Sequence, residues 1–323
     1  MHVLILGGTG FVGPHAVREL DRLGHEVTVF HRGQHETQLP RTVRHVHGAF
    51  AELDAHLDGL LALNPHVVVD MVPFTVADVD RMRLFAGSVG RAVVVSSQDV
   101  YLAFGRAMRT ERGPYVPTPL TEQSPLREVV VDPAYDKVGV ERAAASIEGL
   151  RTTIVRLPAV HGPGDDQHRL HQYVQRMDDG RRHILLDEAV CGWRWTRGYV
   201  EDMGRAIALA AATPRAAGRV YNVAYERVFT EAEWVQAIAL VHGWAGEVVC
   251  VRADELPERM RIEFDAGQDF AVDSRRIRRE LGYRESVEFD EALRRTIDWE
   301  REHAPDRVEP DYAAEDEVLA RLR

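Results

Sequence analysis

The sequence predicts a doubly wound α/β fold, in which helices cover both faces of a parallel β-sheet. Three observations predict it. Short apolar runs alternate with helical patterns through the first half of the chain, the runs are apolar throughout, and a glycine-rich turn follows the first of them. Continuous apolar runs are typical of parallel strands buried on both faces. Their alternation with helices is typical of a doubly wound sheet.

The elements of the first half are predicted in order along the chain. Strands are expected at residues 3–6, 27–30, 43–46, 67–69 and 92–95, with helices at residues 11–23, 51–63 and 77–85. A loop rich in Pro and Gly follows at residues 105–125. The next helix is expected at residues 132–147, because Asp132 suits the N-cap and Pro133 the first helical position.

The second half has a more mixed order. A strand at residues 152–157 is followed by helices at residues 169–178, 203–212, 231–241 and 289–302 and by strands near Ile184, Val220 and Val248. We expect residues 1–163 to form the domain of the parallel sheet. Residues 164–304 should form mainly a smaller C-terminal α/β lobe, with a segment near 219–230 returning to the first domain. Residues 305–323 form an acidic arm, which we expect to pack against the molecule or to fray.

The glycine-rich turn is the first chemical signal. Gly7, Gly10 and Gly13 lie between the first strand and the first helix. Such glycines allow a tight turn, a close approach of a pyrophosphate to the backbone, and close packing of helix on strand. The helix N-terminus adds unpaired N–H groups and a positive dipole end. The turn therefore predicts a site for a nicotinamide dinucleotide.

Composition narrows the class of protein. The formal net charge of −11 disfavours nucleic acid as a partner. We see no apolar run long enough for a membrane span and no signal peptide. Two cysteines, Cys191 and Cys250, in no metal-like spacing predict a reducing compartment without disulfides. We therefore expect a soluble cytoplasmic protein.

Five motifs resemble one family. They are the Gly-x-x-Gly-x-x-Gly turn, Ser96-Ser97-Gln98-Asp99-Val100-Tyr101, Lys137-Val-Gly-Val-Glu141, Arg156-Leu-Pro-Ala-Val-His-Gly-Pro-Gly164 and Arg197-Gly-Tyr-Val-Glu-Asp202. Together they resemble the extended branch of the short-chain dehydrogenase/reductases, the NAD-dependent epimerase/dehydratase family, over most of the chain. The resemblance implies a Rossmann fold and hydride transfer to or from nicotinamide. It also implies a homodimer, since extended relatives often form one.

We expect Ser97, Tyr135 and Lys137 to be catalytic: the resemblance implies the roles of Ser97 and Lys137, and Tyr135 is the phenol nearest to the position of the family's tyrosine. Lys137 is the only lysine of the chain and falls where the family places a lysine that holds the ribose. The family's tyrosine would lie four residues earlier, where this chain has Pro133. Residues i and i+2 of a helix face different sides, so Tyr135 inherits the role only if the first turn is irregular.

Two hypotheses stay open about the proton. In the first, Tyr135 or another phenol such as Tyr101 is the acid/base in a changed geometry. In the second, the role has moved to another group or been lost. Asp99 and Asp70, each at or just after the end of a strand, are alternative bases, or caps of turns.

The expected cofactor is NADP by preference, with NAD as the alternative. NAD selection usually needs a carboxylate at the end of the second strand, and the chain has Phe30-His31-Arg32-Gly33 there. Arg32 is suited to a 2′-phosphate. The residues expected to contact the cofactor are Gly7, Thr9, Gly10, Phe11, Val12, Gly13, His31, Arg32, Asp70, Met71, Lys137 and Pro158.

The substrate is expected to be a small polar molecule, sugar-like or a natural product. The residues expected to contact it are Gln98, Asp99, Trp193 and Arg197, and the resemblance implies a diphosphate contact for Arg197. No metal is expected, because His45 and His47 share a face of a strand without an evident third ligand, and His161, His168 and His171 follow no zinc pattern.

We therefore interpret the chain as an NAD(P)-dependent oxidoreductase or epimerase/dehydratase that acts on a hydroxyl or carbonyl group. The alternative is a dinucleotide-binding regulator or scaffold without turnover. Pro133 favours the alternative, whereas Ser97 and Lys137 favour the enzyme.

Overall fold

A computed structural model describes residues 1–34, 37–306 and 309–322. The strands are β1 His2–Leu6, β2 Glu26–His31, β3 Arg44–His47, β4 Val67–Asp70, β5 Arg91–Ser97, β6 Arg151–Leu157, β7 Ala159–His161, β8 His183–Asp187, β9 Arg197–Tyr199, β10 Val220–Asn222 and β11 Glu247–Val251. The helices are α1 Gly13–Arg22, α2 Leu53–Leu61, α3 Asp80–Arg83, α4 Leu102–Ala107, α5 Lys137–Ala145, α6 His171–Asp178, α7 Glu188–Cys191, α8 Val200–Ala212, α9 Glu231–His242, α10 Arg275–Leu281, α11 Phe289–Glu302 and α12 Tyr312–Arg321.

The central sheet has seven parallel strands in the order β10-β6-β5-β4-β1-β2-β3. One face packs against α1 and α8 through alternate residues of the strands, such as Val3, Ile5 and Val29. The intervening residues, such as Leu4 and Leu6, bury the other face. Both faces are covered, which explains why the strands are continuously apolar. The predicted doubly wound fold is confirmed.

The second half contributes to the central sheet and to two smaller ones. The strand β10 pairs in parallel with β6 at the sheet edge, while β8 pairs with β11 and β7 with β9. The helix α12 packs on this half through a buried cluster that includes Val318, and Glu315 accepts hydrogen bonds from Arg176 at 2.6 and 3.2 Å. None of the described helices is both long and apolar enough to cross a lipid bilayer.

The two cysteines form a disulfide, contrary to the prediction. Cys191 ends α7 and Cys250 lies on β11, with their Cα atoms 6.2 Å apart. The parallel pairing of β8 with β11 brings them together across 59 residues of sequence. Spacing along the chain does not report such a contact. The inference of a reducing compartment from cysteine usage therefore loses its basis.

Helix α5 begins later than predicted. Residues 132–136 are not helical, with a turn at residues 133–134, and the helix begins at Lys137 with Asp136 as its N-cap, whose carboxylate accepts from the Gly139 amide at 2.9 Å. Asp132 caps a separate turn by accepting from the Ala134 amide at 2.8 Å. Tyr135 therefore lies in the approach to the helix, and helical register does not govern its direction.

Candidate active site

The glycine turn between β1 and α1 has the shape of a phosphate cradle. Gly7 and Gly8 both have a φ of +89°, a conformation that side chains rarely adopt. A Cβ on Gly13 would lie 2.4 Å from the Gly8 Cα, so this close contact requires glycine. Gly10 has open space around its Cα. The glycine spacing did not predict a role for Gly8. Its position next to Gly7 was the signal that could have identified it.

The other residues expected around the cofactor surround this turn. Met71 and Val72 lie within 3.3–3.4 Å of the position of a Cβ on Gly7. The Thr9 carbonyl accepts from the Thr37 hydroxyl at 2.9 Å, and Val12 is the N-cap of α1. Phe11 packs partly buried against the core. The turn, the helix end and the open space at Gly10 fit a dinucleotide pyrophosphate.

Asp70 is a structural ion pair rather than an open carboxylate. It is fully buried, and both oxygens accept from Arg81 at 2.8 Å. The Val72 amide donates to it at 3.2 Å. The interpretation of the Asp70 carboxylate as a base or a cofactor contact is therefore not supported.

Ser97, Asp99 and Tyr135 come together in one cavity. The Ser97 and Asp99 side chains both act on the pKa of the Tyr135 phenol, and the Asp99 amide donates to Ser97 Oγ at 3.3 Å. All three line a cavity of about 440 Å³ at the carboxyl end of β5, together with Gln98, Pro158 and Trp193. A chain of hydroxyl, phenol and carboxyl groups in a cavity can bind a polar oxygen and exchange a proton with it.

The protonation states in this cavity follow from burial. Burial raises the pKa of Tyr135, and the Asp99 charge raises it further, so the phenol keeps its proton. Burial also raises the pKa of Asp99, against the pull of Arg127. The Asp99 Oδ1 atom has no hydrogen-bond partner among the described residues, and Arg127 Nη2 lies 3.9 Å from it.

Lys137 is buried beside this group without bonding to the phenol. Its Nζ donates to the carbonyls of Pro73 at 2.7 Å and Val95 at 3.4 Å. It lies 4.8 Å from the centroid of the Phe74 ring and 5.6 Å from that of Tyr135. Burial lowers the pKa of Lys137 to about 8, against the Asp99 and Asp70 charges that raise it.

Tyr101 is excluded as the alternative phenol. Its side chain is fully buried, donates to Asn222 Oδ1 at 2.7 Å and accepts from Arg156 at 2.9 Å. Arg156 in turn pairs with Glu141 at 2.6–2.9 Å. Burial raises the pKa of Tyr101 to about 12. This network fixes β6 against α5 and leaves Tyr135 as the phenol that lines the cavity among the described residues.

The residues expected to contact substrate divide into two groups. Gln98 and Trp193 line the cavity, although Gln98 Nε2 donates to Val223 O at 2.8 Å and Trp193 Nε1 to Gln268 O at 2.8 Å. The rings of Trp193 and Trp195 form part of the cavity wall, and their centroids are 5.5 Å apart. The aromatic wall also includes Phe264 and Phe270, which sequence patterns did not single out because they lie some 70 residues farther along the chain.

Arg197 does not line this cavity but a smaller one of about 140 Å³ that shares Ala159 and Trp195 with it, and the expected diphosphate contact stays a prediction. Its guanidinium is buried, bonded to the Glu231 carboxylate and 4.5 Å from the centroid of the Trp234 ring. Glu231 also accepts from the Tyr173 hydroxyl at 2.8 Å. The partner of Arg197 lies 34 residues away, so the local motif did not reveal the pair.

A larger cavity of about 740 Å³ adjoins the first, since Gln167, Trp193, Trp195 and Phe264 line both. Carboxylates contribute to its wall, among them Asp187, which is buried and caps α7 by accepting from the Ala189 amide at 2.9 Å. The two cavities together provide room for a substrate larger than a simple alcohol.

The histidines have two different settings. His161 is buried and bonded at 3.0 Å to both Thr296 and Tyr225, and His168 bonds to Glu300 at 2.8 Å, so both are structural. His45 and His47, in contrast, meet a third imidazole, His31 at the end of β2. The prediction that His45 and His47 have no third ligand was wrong, because strand pairing supplies His31.

Arg32 is exposed and directly follows β2. His31 is the last residue of that strand, the position at which a carboxylate would favour NAD. The Gly33 amide donates to His31 Nδ1 at 3.2 Å, which fixes the turn that carries Arg32. No carboxylate lies within residues 30–34 of the sequence.

Comparison with known proteins gives a consistent assignment. The sequence model of the NAD dependent epimerase/dehydratase family matches residues 3–224. The 2′-dehydrokanamycin reductase of Streptomyces kanamyceticus is 32% identical over 234 residues, which cover 69% of this chain and 62% of the reductase. The aligned region therefore spans less than two thirds of the length of that relative.

Solved structures share the fold. An epimerase of the methanogen Methanothermobacter thermautotrophicus superposes with a TM-score of 0.69 at 19% identity, covering 94% of this chain and 92% of that chain. MoeE5 in complex with UDP-glucuronic acid and NAD superposes with a TM-score of 0.67 at 22% identity, covering 94% and 99%. The extent of the family match, the glycine cradle and the seven-stranded sheet agree, and the chain belongs to the NAD dependent epimerase/dehydratase family.

Proposed function

We propose that the protein is an NADP-preferring oxidoreductase that reduces a carbonyl group, or oxidises the corresponding hydroxyl, of a small polar substrate of sugar-like or natural-product type. The observation that carries the proposal is the meeting of Ser97, Asp99 and Tyr135 in a cavity at the carboxyl end of β5. Membership of the family and the similarity to a reductase of 2′-dehydrokanamycin support hydride chemistry on a carbohydrate-like ketone.

The proposed reaction assigns a role to each side chain in the cavity. The bound nicotinamide would supply the hydride. Ser97 orients the carbonyl oxygen, and Tyr135 donates its proton to that oxygen as negative charge develops on it. Asp99, which lines the same cavity and acts on the pKa of Tyr135, returns a proton from solvent to the phenol. Lys137 adds a buried positive charge beside the ring of Tyr135.

The preference for NADP rests on the turn after β2. Arg32 is exposed there, and a planar guanidinium can hold a phosphate with paired N–H donors. The lack of a carboxylate removes the usual partner of the ribose hydroxyls of NAD. We also propose that residues 164–304 supply most of the substrate contacts and that the chain forms a homodimer, as related enzymes do.

Replacement of the phenol tests the proposed function. We expect Tyr135→Phe to lower kcat for reduction of 2′-dehydrokanamycin with NADPH by about 100-fold or more, since positioned proton donors contribute that much. Tyr115→Phe is the matched control, because Tyr115 is exposed and bonds to Asp265 outside the cavity. Both rates are measured by the loss of nicotinamide absorbance.

The outcomes separate the two readings of the chain. Unchanged turnover in Tyr135→Phe would remove Tyr135 from the mechanism. Binding of NADPH without turnover on a panel of amino sugars, ketoses and cyclic ketones would instead favour a dinucleotide-binding scaffold, to which Pro133 in place of the family's tyrosine points.

A further inference from the structure

Two neighbouring strands carry three histidines to one face of the sheet. The strand β2 pairs in parallel with β3 so that His31 lies opposite His47 and Val29 opposite His45. Alternate residues of a strand share a face, and opposite residues of paired strands do as well. His31, His45 and His47 therefore project from the same side at the carboxyl ends of the two strands.

The imidazoles are close enough to share one ion. One ligand nitrogen from each ring lies within 4.8 Å of the corresponding atoms of the other two. His31 Nε2 and His45 Nδ1 are 2.9 Å apart. The His31 and His47 ring centroids are 4.7 Å apart. Two nitrogens bound to one tetrahedral Zn²⁺ lie about 3.3 Å apart, so an ion could replace the proton between them with a small movement.

The ligand set selects a class of metal. Three imidazoles, the ligand set found among the described residues, suit Zn²⁺, Ni²⁺, Co²⁺ or Cu²⁺, whereas Mg²⁺ and Ca²⁺ require oxygen ligands. His31 is buried, which fixes one ligand in place, while His45 and His47 are exposed and leave a path for the ion. Three protein ligands leave a fourth position for water, as in open tetrahedral sites.

We propose that His31, His45 and His47 form a binding site for a Zn²⁺-class transition-metal ion at the carboxyl ends of β2 and β3. This site lies outside the cavity of Ser97, Asp99 and Tyr135, and metal binding there can be tested without the reaction assigned to that cavity.

Coordination would change one local hydrogen bond. A metal on His31 Nε2 moves the ring proton to Nδ1, where the Gly33 amide now donates at 3.2 Å. Gly33 has a φ of +73°, and glycine tolerates the rearrangement that follows. The turn that carries Arg32 therefore shifts when the ion binds.

Zn²⁺ titration by calorimetry on the full chain, treated with a chelator and then dialysed, tests the site. We expect one Zn²⁺ per chain, and a loss of affinity of at least 100-fold in both His45→Ala and His47→Ala. His303→Ala is the matched control, because His303 is exposed at the end of α11, and it should bind as the parent does. Circular dichroism verifies that each variant is folded.

Co²⁺ is a second probe, which reports the coordination geometry of the site. Co²⁺ bound by the parent should show the intense visible absorption of a tetrahedral site, and His47→Ala should lose it. The proposal is overturned if the parent binds no Zn²⁺ at micromolar concentration, or if His45→Ala and His47→Ala bind Zn²⁺ as tightly as the parent.

Discussion

The proton chemistry of the proposed reaction depends on two side chains that touch each other. Tyr135 keeps its proton because burial and the Asp99 charge raise its pKa, so it acts as a donor rather than as a phenolate. Lys137 does not reverse this, since its ammonium bonds to the carbonyls of Pro73 and Val95. In the proposed reaction the Asp99 carboxyl group is the proton reservoir.

Asp99→Asn tests that assignment through pH. Burial raises the Asp99 pKa, so the carboxyl is protonated below that raised value and supplies the proton that reduction consumes. The parent's kcat for reduction should therefore be highest at low pH and fall as pH rises through the Asp99 pKa. In Asp99→Asn we expect a loss of about 10- to 100-fold at low pH and a flatter profile.

The control for this experiment is Asp254→Asn, because the Asp254 side chain is 73% exposed on the surface. It should keep the parent profile. An Asp99→Asn variant with the same fall of kcat against pH as the parent would show that another group titrates.

At the level of elements, the turn from β1 into α1 needs glycine for steric reasons that differ from position to position. Gly13→Ala would force a Cβ into the Gly8 backbone, and backbone cannot move aside as a flexible side chain can. We expect Gly13→Ala to weaken NADPH binding by at least 10-fold. The measurement is the enhancement of nicotinamide fluorescence on titration.

Gly59→Ala is the control, since Gly59 lies on α2 with open space around its Cα. It should bind NADPH as the parent does, and helix propensity should make it slightly more stable. Equal affinity of Gly13→Ala and the parent would mean that the phosphates do not sit in this turn.

Most helices and strands could be predicted because local sequence patterns indicate them. Apolar runs and capping signals identify the strands of the central sheet and most helices, with ends shifted by one to a few residues. The start of α5 could not be predicted, because both Asp132 and Asp136 can cap a helix. Pro133 is also suited to a turn as well as to the first turn of a helix. The choice between them depends on packing of the helix against the sheet.

Contacts between distant segments could not be predicted in the same way. Arg197 meets Glu231, and His31 meets His45 and His47, only after strands and helices assemble. Ser97 and Lys137 were predicted from a family resemblance, and Tyr135 as the phenol nearest to the position of the family's tyrosine. No local sequence pattern identified Phe264 and Phe270 as part of the cavity wall.

At the scale of the whole molecule, the disulfide joins α7 to β11 in the second half of the chain. Cys191 and Cys250 close a segment of 59 residues, and the chain-entropy model gives about 4 kcal/mol for a loop of that size. We expect the double variant Cys191→Ser/Cys250→Ser to lose stability of this order in urea unfolding. A reducing agent should lower the stability of the parent but leave the double variant unchanged.

Equal unfolding midpoints for the oxidised parent and the double variant would contradict this contribution. Free-thiol titration of the unfolded, unreduced parent is the accompanying check, and it should find no reactive thiol.

Binding of the dinucleotide is the measurement that tests the account most directly. Purified protein titrated with NADPH and NADH should bind both, NADPH more tightly, and Arg32→Ala should reduce the difference between them. No measurable affinity for the oxidised or reduced form of either dinucleotide would contradict the assignment of the glycine turn, and with it the proposed reaction.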